Sequence, residues 1–417
     1  MSSFSIPLSG LSASENALDV ISNNLANLNT VGFKDQQASF QDLFYQNLGA
    51  TGSGDPIQVG AGTEIGSVTS DFTNGSIEST GVPSDVAITG DGLFVTEDAN
   101  GNMEFTRAGN FTVNTQGELV TQNGQTVMGY GAVDGVVAPG QGLVALQVGP
   151  GQTSPAAATS TMQQQTNLDA SAAVGDTYST PLTVYDSLGN SHVLTFNYTK
   201  TATNTWTYQI TLPAADTGGT GNPTVVNSGT LTFGPNGNLL TPAGAVAGIK
   251  ISGLTDGAGA MNMTWDLYGS SGASLLTQVA SQSTTSSTSQ NGYASGTLQS
   301  YTVNSDGTIS GSFSNGQVQT IGQIALASFP NNQGLELVGG DNYVPTLASG
   351  QAVIGAPGAG GRGVLTGGSL EQSNVDISTE FTQLIVTQRG FEANARMVTT
   401  LDSIGTDTIN LQAQPGN

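Results

Sequence analysis

Residues Asn23-Asn24-Leu25-Ala26-Asn27-Leu28-Asn29-Thr30-Val31-Gly32-Phe33-Lys34 close a leucine stripe with asparagines, a glycine, an aromatic residue and the first cation of the chain. Upstream, Leu11, Leu18, Ile21, Leu25 and Leu28 are spaced 7, 3, 4 and 3 residues apart, which lines one face of a helix. A helix from Ser12 to Asn29 would be roughly 27 Å long at about 1.5 Å per residue. Pro7 suits a first helical turn, whereas Ser12 followed by Glu15 has the capping-box form and offers a later start.

The other terminus has a matching stripe. Ile377, Phe381, Leu384, Gln388, Phe391, Ala395 and Val398 repeat at 4, 3, 4, 3, 4 and 3, a heptad seam with one polar member. Asn374 or Asp376 can cap its start. Two such ends predict one antiparallel helical pair. Gly390 lies inside the second helix, at a cost of about 0.5–1 kcal/mol relative to alanine.

Between the ends the texture is β. Leu93-Phe94-Val95-Thr96 and Met103-Glu104-Phe105-Thr106 flank Asn100-Gly101, and Phe111-Thr112-Val113 and Glu118-Leu119-Val120 flank Gln116-Gly117. These are hairpin signals. The same texture returns around Asp306-Gly307 and Asn315-Gly316, so one β domain is split by an insertion. The insertion begins at a linker over 150–156 and holds Leu182–Tyr185, His192–Phe196 and Thr205–Ile210 as strands. It ends in Ser281–Gln290, a Ser/Thr-rich run of linker composition. The expected class is mainly β with a terminal α-helical antiparallel coiled-coil pair. The expected domains are 1–32 with 370–417 (helical), 33–150 with 291–369 (split middle β), and 151–290 (inserted outer β).

The chain has 417 residues, 7 Lys+Arg against 30 Asp+Glu, and a net charge of −23. That balance disfavours nucleic acid and anionic membrane surfaces. Only 9% of residues are charged, against roughly 25% in ordinary soluble domains. Glycine contributes 58 residues, about twice its usual share. The surface is therefore neutral and turn-rich, as in extracellular β proteins and assembly subunits. No apolar run reaches the ~20 residues of a membrane span, so no membrane insertion is expected. Residues 1–33 lack Lys and Arg, unlike a cleaved secretory signal.

Catalytic chemistry finds no support in the residues. There is no cysteine, and His192, the single histidine, reads as a surface position on a strand. A transition-metal site would have to be carboxylate-rich, and no such cluster stands out; no metal or cofactor is expected. Gly358-Ala359-Gly360-Gly361-Arg362-Gly363 has the GxGxxG form but leads into Val364-Leu365-Thr366-Gly367-Gly368, which cannot open a helix. Asp98-Ala99-Asn100-Gly101-Asn102 begins like a calcium loop, yet Met103 and Gly109 occupy the positions that need glycine and a bidentate acid. It reads as a hairpin turn.

The opening stretch then gains a family. Asn24, Ala26, Asn27, Thr30, Gly32 and Phe33 carry a likeness to the N-L-A-N-x-x-T-x-G-F-K signature of the bacterial flagellar rod and hook proteins. Ser369-Leu370-Glu371-Gln372-Ser373-Asn374-Val375-Asp376 resembles the S-L-E-x-S-N-V-D motif of the same family. Gln388-Arg389-Gly390-Phe391-Glu392-Ala393-Asn394-Ala395-Arg396 resembles its Q-R-x-[YF]-x-A-N-A-[RK] motif, including Gln388, Arg389 and Asn394. Within the family, Ala38-Ser39-Phe40-Gln41-Asp42-Leu43-Phe44 and Asp71-Phe72-Thr73-Asn74-Gly75 are most similar to hook subunits.

The resemblance implies a non-enzymatic subunit of a curved tubular homopolymer, with the helices lining a central export channel. Leu11, Leu18, Ile21, Leu25, Leu28, Ile377, Phe381, Leu384, Phe391, Ala395 and Val398 would then pack within the helical pair and between neighbouring subunits. It also implies a distal rod protein, a hook cap protein and a hook-filament junction protein as partners, and uncleaved export by the flagellar type III apparatus. Phe4 and Leu8 resemble the F-x-x-x-apolar element of early export substrates. Two other readings stay open on the residues: a distal-rod-like axial protein, and an extracellular β-rich adhesin or binding module closed by a helical hairpin.

Overall fold

The computed structural model describes residues 4–50, 56–133, 135–149 and 151–412. Residues at both ends of the expected helical domain, and Pro150 in the linker, lie outside the described residues. The chain forms two compact units. One comprises Met1–Pro150, Ser300–Gly311 and Gln319–Asn417, and the other Gly151–Gln299 with Ser312–Val318. The terminal helices thus belong to the same unit as the split β region.

In the first unit, helix α1 spans Ser5–Ala26 and helix α2 spans Ile377–Gln412. The earlier of the two starts is the one used. Pro7 sits in the first turn, where a backbone N–H has no intrahelical acceptor and its loss costs little. Asp376 caps α2, its Oδ1 accepting the Thr379 N–H at 2.8 Å. Gly390 does not interrupt α2.

After α1 the chain forms an antiparallel ribbon of Gln36–Asp42 with Thr63–Ser70, continued by Gln46–Ala50 with Pro56–Val59. The sheet that follows pairs Leu93–Glu97 with Met103–Thr106, as the Asn100-Gly101 turn signal requires, and also with Thr126–Val133. Thr126–Val133 also pairs with the late strand Val318–Ile324 through Gly129 and Ile324, which closes the split domain. Leu93 and Val95 enter one hydrophobic core and Phe94 the other. A strand buried on both faces needs the unbroken apolar run seen there. Phe94 meets Phe111 edge-on, with ring centroids 5.0 Å apart.

The second unit is a β-sandwich. One antiparallel sheet runs Thr177–Tyr185, Ser191–Ala202, Thr205–Leu212, Thr224–Phe233, Leu239–Thr241. The other is built on Thr161–Asp169 with Val246–Ile251, Met261–Asp266, Leu276–Val279 and Thr284–Gln290. Trp206 and Trp265 are both core residues, and Trp265 packs on Phe196 and Tyr208 at 5.0 and 5.3 Å. Two sequence expectations are corrected here. Thr284–Gln290 is a strand, not a linker: it pairs in register with Thr161–Asp169 from Met162↔Gln290 to Asn167↔Thr284. Its threonines favour an extended backbone and its serines face outward, so a linker composition also satisfies an edge strand. His192 is buried rather than at the surface. It shares the parity of Leu194, Phe196 and Tyr198, all in the core.

Candidate functional site: the joint between the terminal helices and the β region

The two terminal motifs meet in one buried joint. Asn27 follows the last turn of α1, its Nδ2 donating to the Asn23 carbonyl at 3.0 Å, and Thr30 Oγ1 donates to Asn27 Oδ1 at 3.0 Å. Gly32 then turns the chain at φ +73°, and its N–H donates to the Glu371 carbonyl at 2.8 Å. A Cβ at Gly32 would stand 2.6 Å from the Ala108 backbone nitrogen, so the position requires glycine on both counts. Phe33 is buried just beyond it.

Two asparagines act as surrogate backbone. Asn24 accepts the Gln36 N–H at 3.0 Å and donates to the Gln36 carbonyl at 2.8 Å, imitating a ladder partner for the first strand. Its Nδ2 also reaches Glu380 of α2 at 3.3 Å. Asn374 accepts the Asp35 N–H at 2.7 Å and donates to the Asp71 carbonyl at 2.8 Å. Burial raises the pKa of Glu380, as it does for Asp35.

At the centre lies a charge cluster that the sequence reading did not identify. Glu371 Oε1 takes Lys34 Nζ at 2.8 Å and the Gly75 N–H at 2.8 Å, while Oε2 takes Arg107 Nε at 2.5 Å. Lys34 also donates to the Thr73 carbonyl at 2.7 Å. The Arg107 guanidinium donates to the carbonyls of Gly92, Ile88 and Gly90 at 2.6, 2.9 and 2.8 Å. All three side chains are almost wholly buried. Burial lowers the pKa of Lys34, and the bond to Glu371 opposes that. Lys34 and Glu371 fall within quoted motifs, but nothing local marks Arg107, whose partner lies 264 residues away. The available signal was scarcity: a chain with 7 cations spends two of them here.

The helices pack antiparallel. A Cβ at Gly10 would lie 2.7 Å from Asn394, Gly390 faces Ser14, and Asn24 reaches Glu380. Small residues of α1 (Gly10, Ala13, Ser14 and Ala17) supply the close approach, together with Ile21. Of the expected stripe Ile21 is buried, while Leu11, Leu18, Leu25 and Leu28 are half-buried. On α2 the seam is displaced. Its inward line is Glu380, Leu384, Thr387, Phe391, Asn394, Val398 and Leu401, with Ala395 half-buried beside it. Ile377, Phe381 and Gln388, read as seam members, are exposed in the single chain, whereas Asn394 lies over Gly10 and Glu380 bonds Asn24. Arg389 and Asp376 are also exposed, as is Ala26. Phe4 and Leu8 are exposed one helical turn apart.

Four family models match consecutive parts of the chain. They are the flagella basal body rod protein (6–34), the flagellar hook protein FlgE/F/G D1 domain (87–162), the flagellar basal body protein FlaE D2 domain (155–293) and the flagellar basal body rod FlgEFG protein C-terminal region (366–411). The flagellar hook protein FlgE of Salmonella typhimurium is 37% identical over 98% of this chain and all of its own length. The Escherichia coli FlgE is 36% identical with the same coverage, and that of Treponema pallidum 36% over 97% of this chain. The crystal structure of Helicobacter pylori FlgE2 covers 69% of this chain and 98% of its own, with a TM-score of 0.48 at 16% identity. The chain belongs to the flagellar hook protein FlgE family.

Proposed function

We propose that the chain is the structural subunit of the bacterial flagellar hook, polymerising into a curved helical tube that couples the rod to the filament. One observation carries this reading beyond the family assignment: α2 leaves Ile377, Phe381, Ile385, Val386 and Met397 exposed on a helix already packed against α1. Each such side chain contributes up to about 1.5–3 kcal/mol when covered, so the two exposed flanks of α2, Ile377 with Phe381 and Ile385 on one and Val386 with Met397 on the other, favour contact with further copies. An interface between different faces of identical subunits does not close and generates an open helical filament. The terminal helices then line the channel, the split β region forms the middle layer and the inserted sandwich the outer one. The distal rod protein, the hook cap and the hook-filament junction protein meet its ends, and the type III apparatus exports the subunit uncleaved, with Phe4 and Leu8 in the export element. The subunit works mechanically, without catalysis.

Electron microscopy of cells lacking this chain tests the proposal. Rods that end without hooks support it; intact hooks refute it.

A further inference from the structure

The one histidine of the chain lies among three aspartates at one end of the sandwich. His192 Nδ1 is 2.9 Å from Asp216 Oδ2. Its Nε2 faces the other way, 3.2 Å from Asp186 Oδ2 and 3.5 Å from Asp256 Oδ2. The side-chain amide of Asn190 approaches the same two oxygens, at 3.3 and 3.2 Å. Three possible metal-donor atoms, Asp186 Oδ2, His192 Nε2 and Asp256 Oδ2, therefore lie within 4.8 Å of one another, with the Asn190 amide as a fourth neighbour. Four ligands held tetrahedrally at about 2.0–2.1 Å from a Zn2+ ion stand roughly 3.3 Å apart. Four of the six separations among these atoms, 3.2 to 3.5 Å, are close to that edge.

The surroundings suit a cation. Asp186 is fully buried, and its Oδ1 is held by the N–H groups of Leu188 and Asn190 at 2.8 and 2.9 Å, which aims Oδ2 alone into the site. Asp216 on Nδ1 presents the Nε2 lone pair inward, the carboxylate–histidine pairing that orients metal-bound imidazoles. An Asn190 amide rotated by half a turn offers Oδ1 in place of Nδ2. Three carboxylates surround one imidazole, and neither lysine of this unit, Lys200 or Lys250, pairs with them among the described residues. An Nε2 facing two carboxylate oxygens needs a positive centre between them, either its own proton or a metal ion that takes the proton's place.

We propose that Asp186, His192, Asp256 and Asn190 bind one Zn2+ ion, with Asp216 as the positioning residue. The ligands come from both sheets: Asp186 and Asn190 from the turn before Ser191–Ala202, and Asp256 from the turn between Val246–Ile251 and Met261–Asp266. The ion therefore staples the sheets together and stiffens the sandwich. Any proton carried by Nε2 leaves to solvent on coordination.

The test uses the full chain, stripped with a chelator and titrated with ZnCl2 by calorimetry. Single-site binding of one ion per chain is expected, with the lone imidazole signal in the 15N spectrum shifting at Nε2. Asp256→Asn, on an exposed turn and compatible with folding, weakens binding at least about tenfold, and Asp216→Asn does so by about 10–100-fold. The proposal is overturned if no stoichiometric Zn2+ binds, if Asp256→Asn binds as tightly as the parent, or if the imidazole remains a protonated ring in excess Zn2+.

Discussion

Glu371→Gln removes one negative charge and almost no volume from the centre of the joint. Lys34 and Arg107 then share a buried space with no carboxylate bonded to either, since both bond Glu371 in the parent and otherwise donate only to carbonyls. Breaking a buried ion pair by removing one partner costs about 3–5 kcal/mol, more than an ordinary hydrogen bond because the orphaned charges stay desolvated. Two probes isolate the effect. Both long helices lie in the first unit and both tryptophans in the second. In urea, the circular-dichroism midpoint at the helical band should fall by about 1–2.5 M, for a slope of about 2–3 kcal/mol per M. The tryptophan fluorescence midpoint should stay where it is. Lys34→Met combined with Glu371→Gln should recover part of the loss, because Arg107 alone keeps three carbonyl acceptors. A circular-dichroism midpoint for Glu371→Gln within about 0.3 M of the parent would refute the reasoning.

Other outcomes follow from the same geometry. Gly32→Ala combines a left-handed φ with a backbone clash and should destabilise the first unit by more than about 1 kcal/mol, read by the same urea titration. Phe381→Ser, at an exposed position, should leave the monomer's unfolding free energy within about 0.5 kcal/mol of the parent while abolishing or shortening polymers seen by electron microscopy. Polymers of normal length and frequency would remove Phe381 from the assembly face. Hydrogen bonds from the Thr379 backbone and side chain hold the Asp376 pKa below its usual value, so its cap is intact above the unfolded pKa and is lost as pH falls through the folded one. Acid titration of the helical signal should therefore show a loss below about pH 4 that Asp376→Asn, an uncharged cap, lacks.

Much of the organisation was legible from the chain itself. The helical ends, the hairpins around Asn100-Gly101 and Gln116-Gly117, and the insertion are all local statements of period and turn chemistry, which each stretch carries by itself. The motifs around Asn24 and Asn374 were also visible as motifs. Their chemistry was not, because each side chain stands in for backbone belonging to a distant segment.

What only the tertiary structure decided is pairing. A heptad pattern states that α2 has an apolar face, but which face meets α1 depended on small residues elsewhere, at Gly10, Ser14 and Ala17, and this left Phe381 outside. Parity along Ser191–Ala202 already placed His192 with Leu194 and Phe196, whereas its three aspartates come from separate turns. The bonds joining Lys34, Arg107 and Glu371 span up to 337 residues. Periodicity is a property of neighbours in the chain and survives in the sequence; electrostatic partnership is a property of neighbours in space, and the fold alone supplies it.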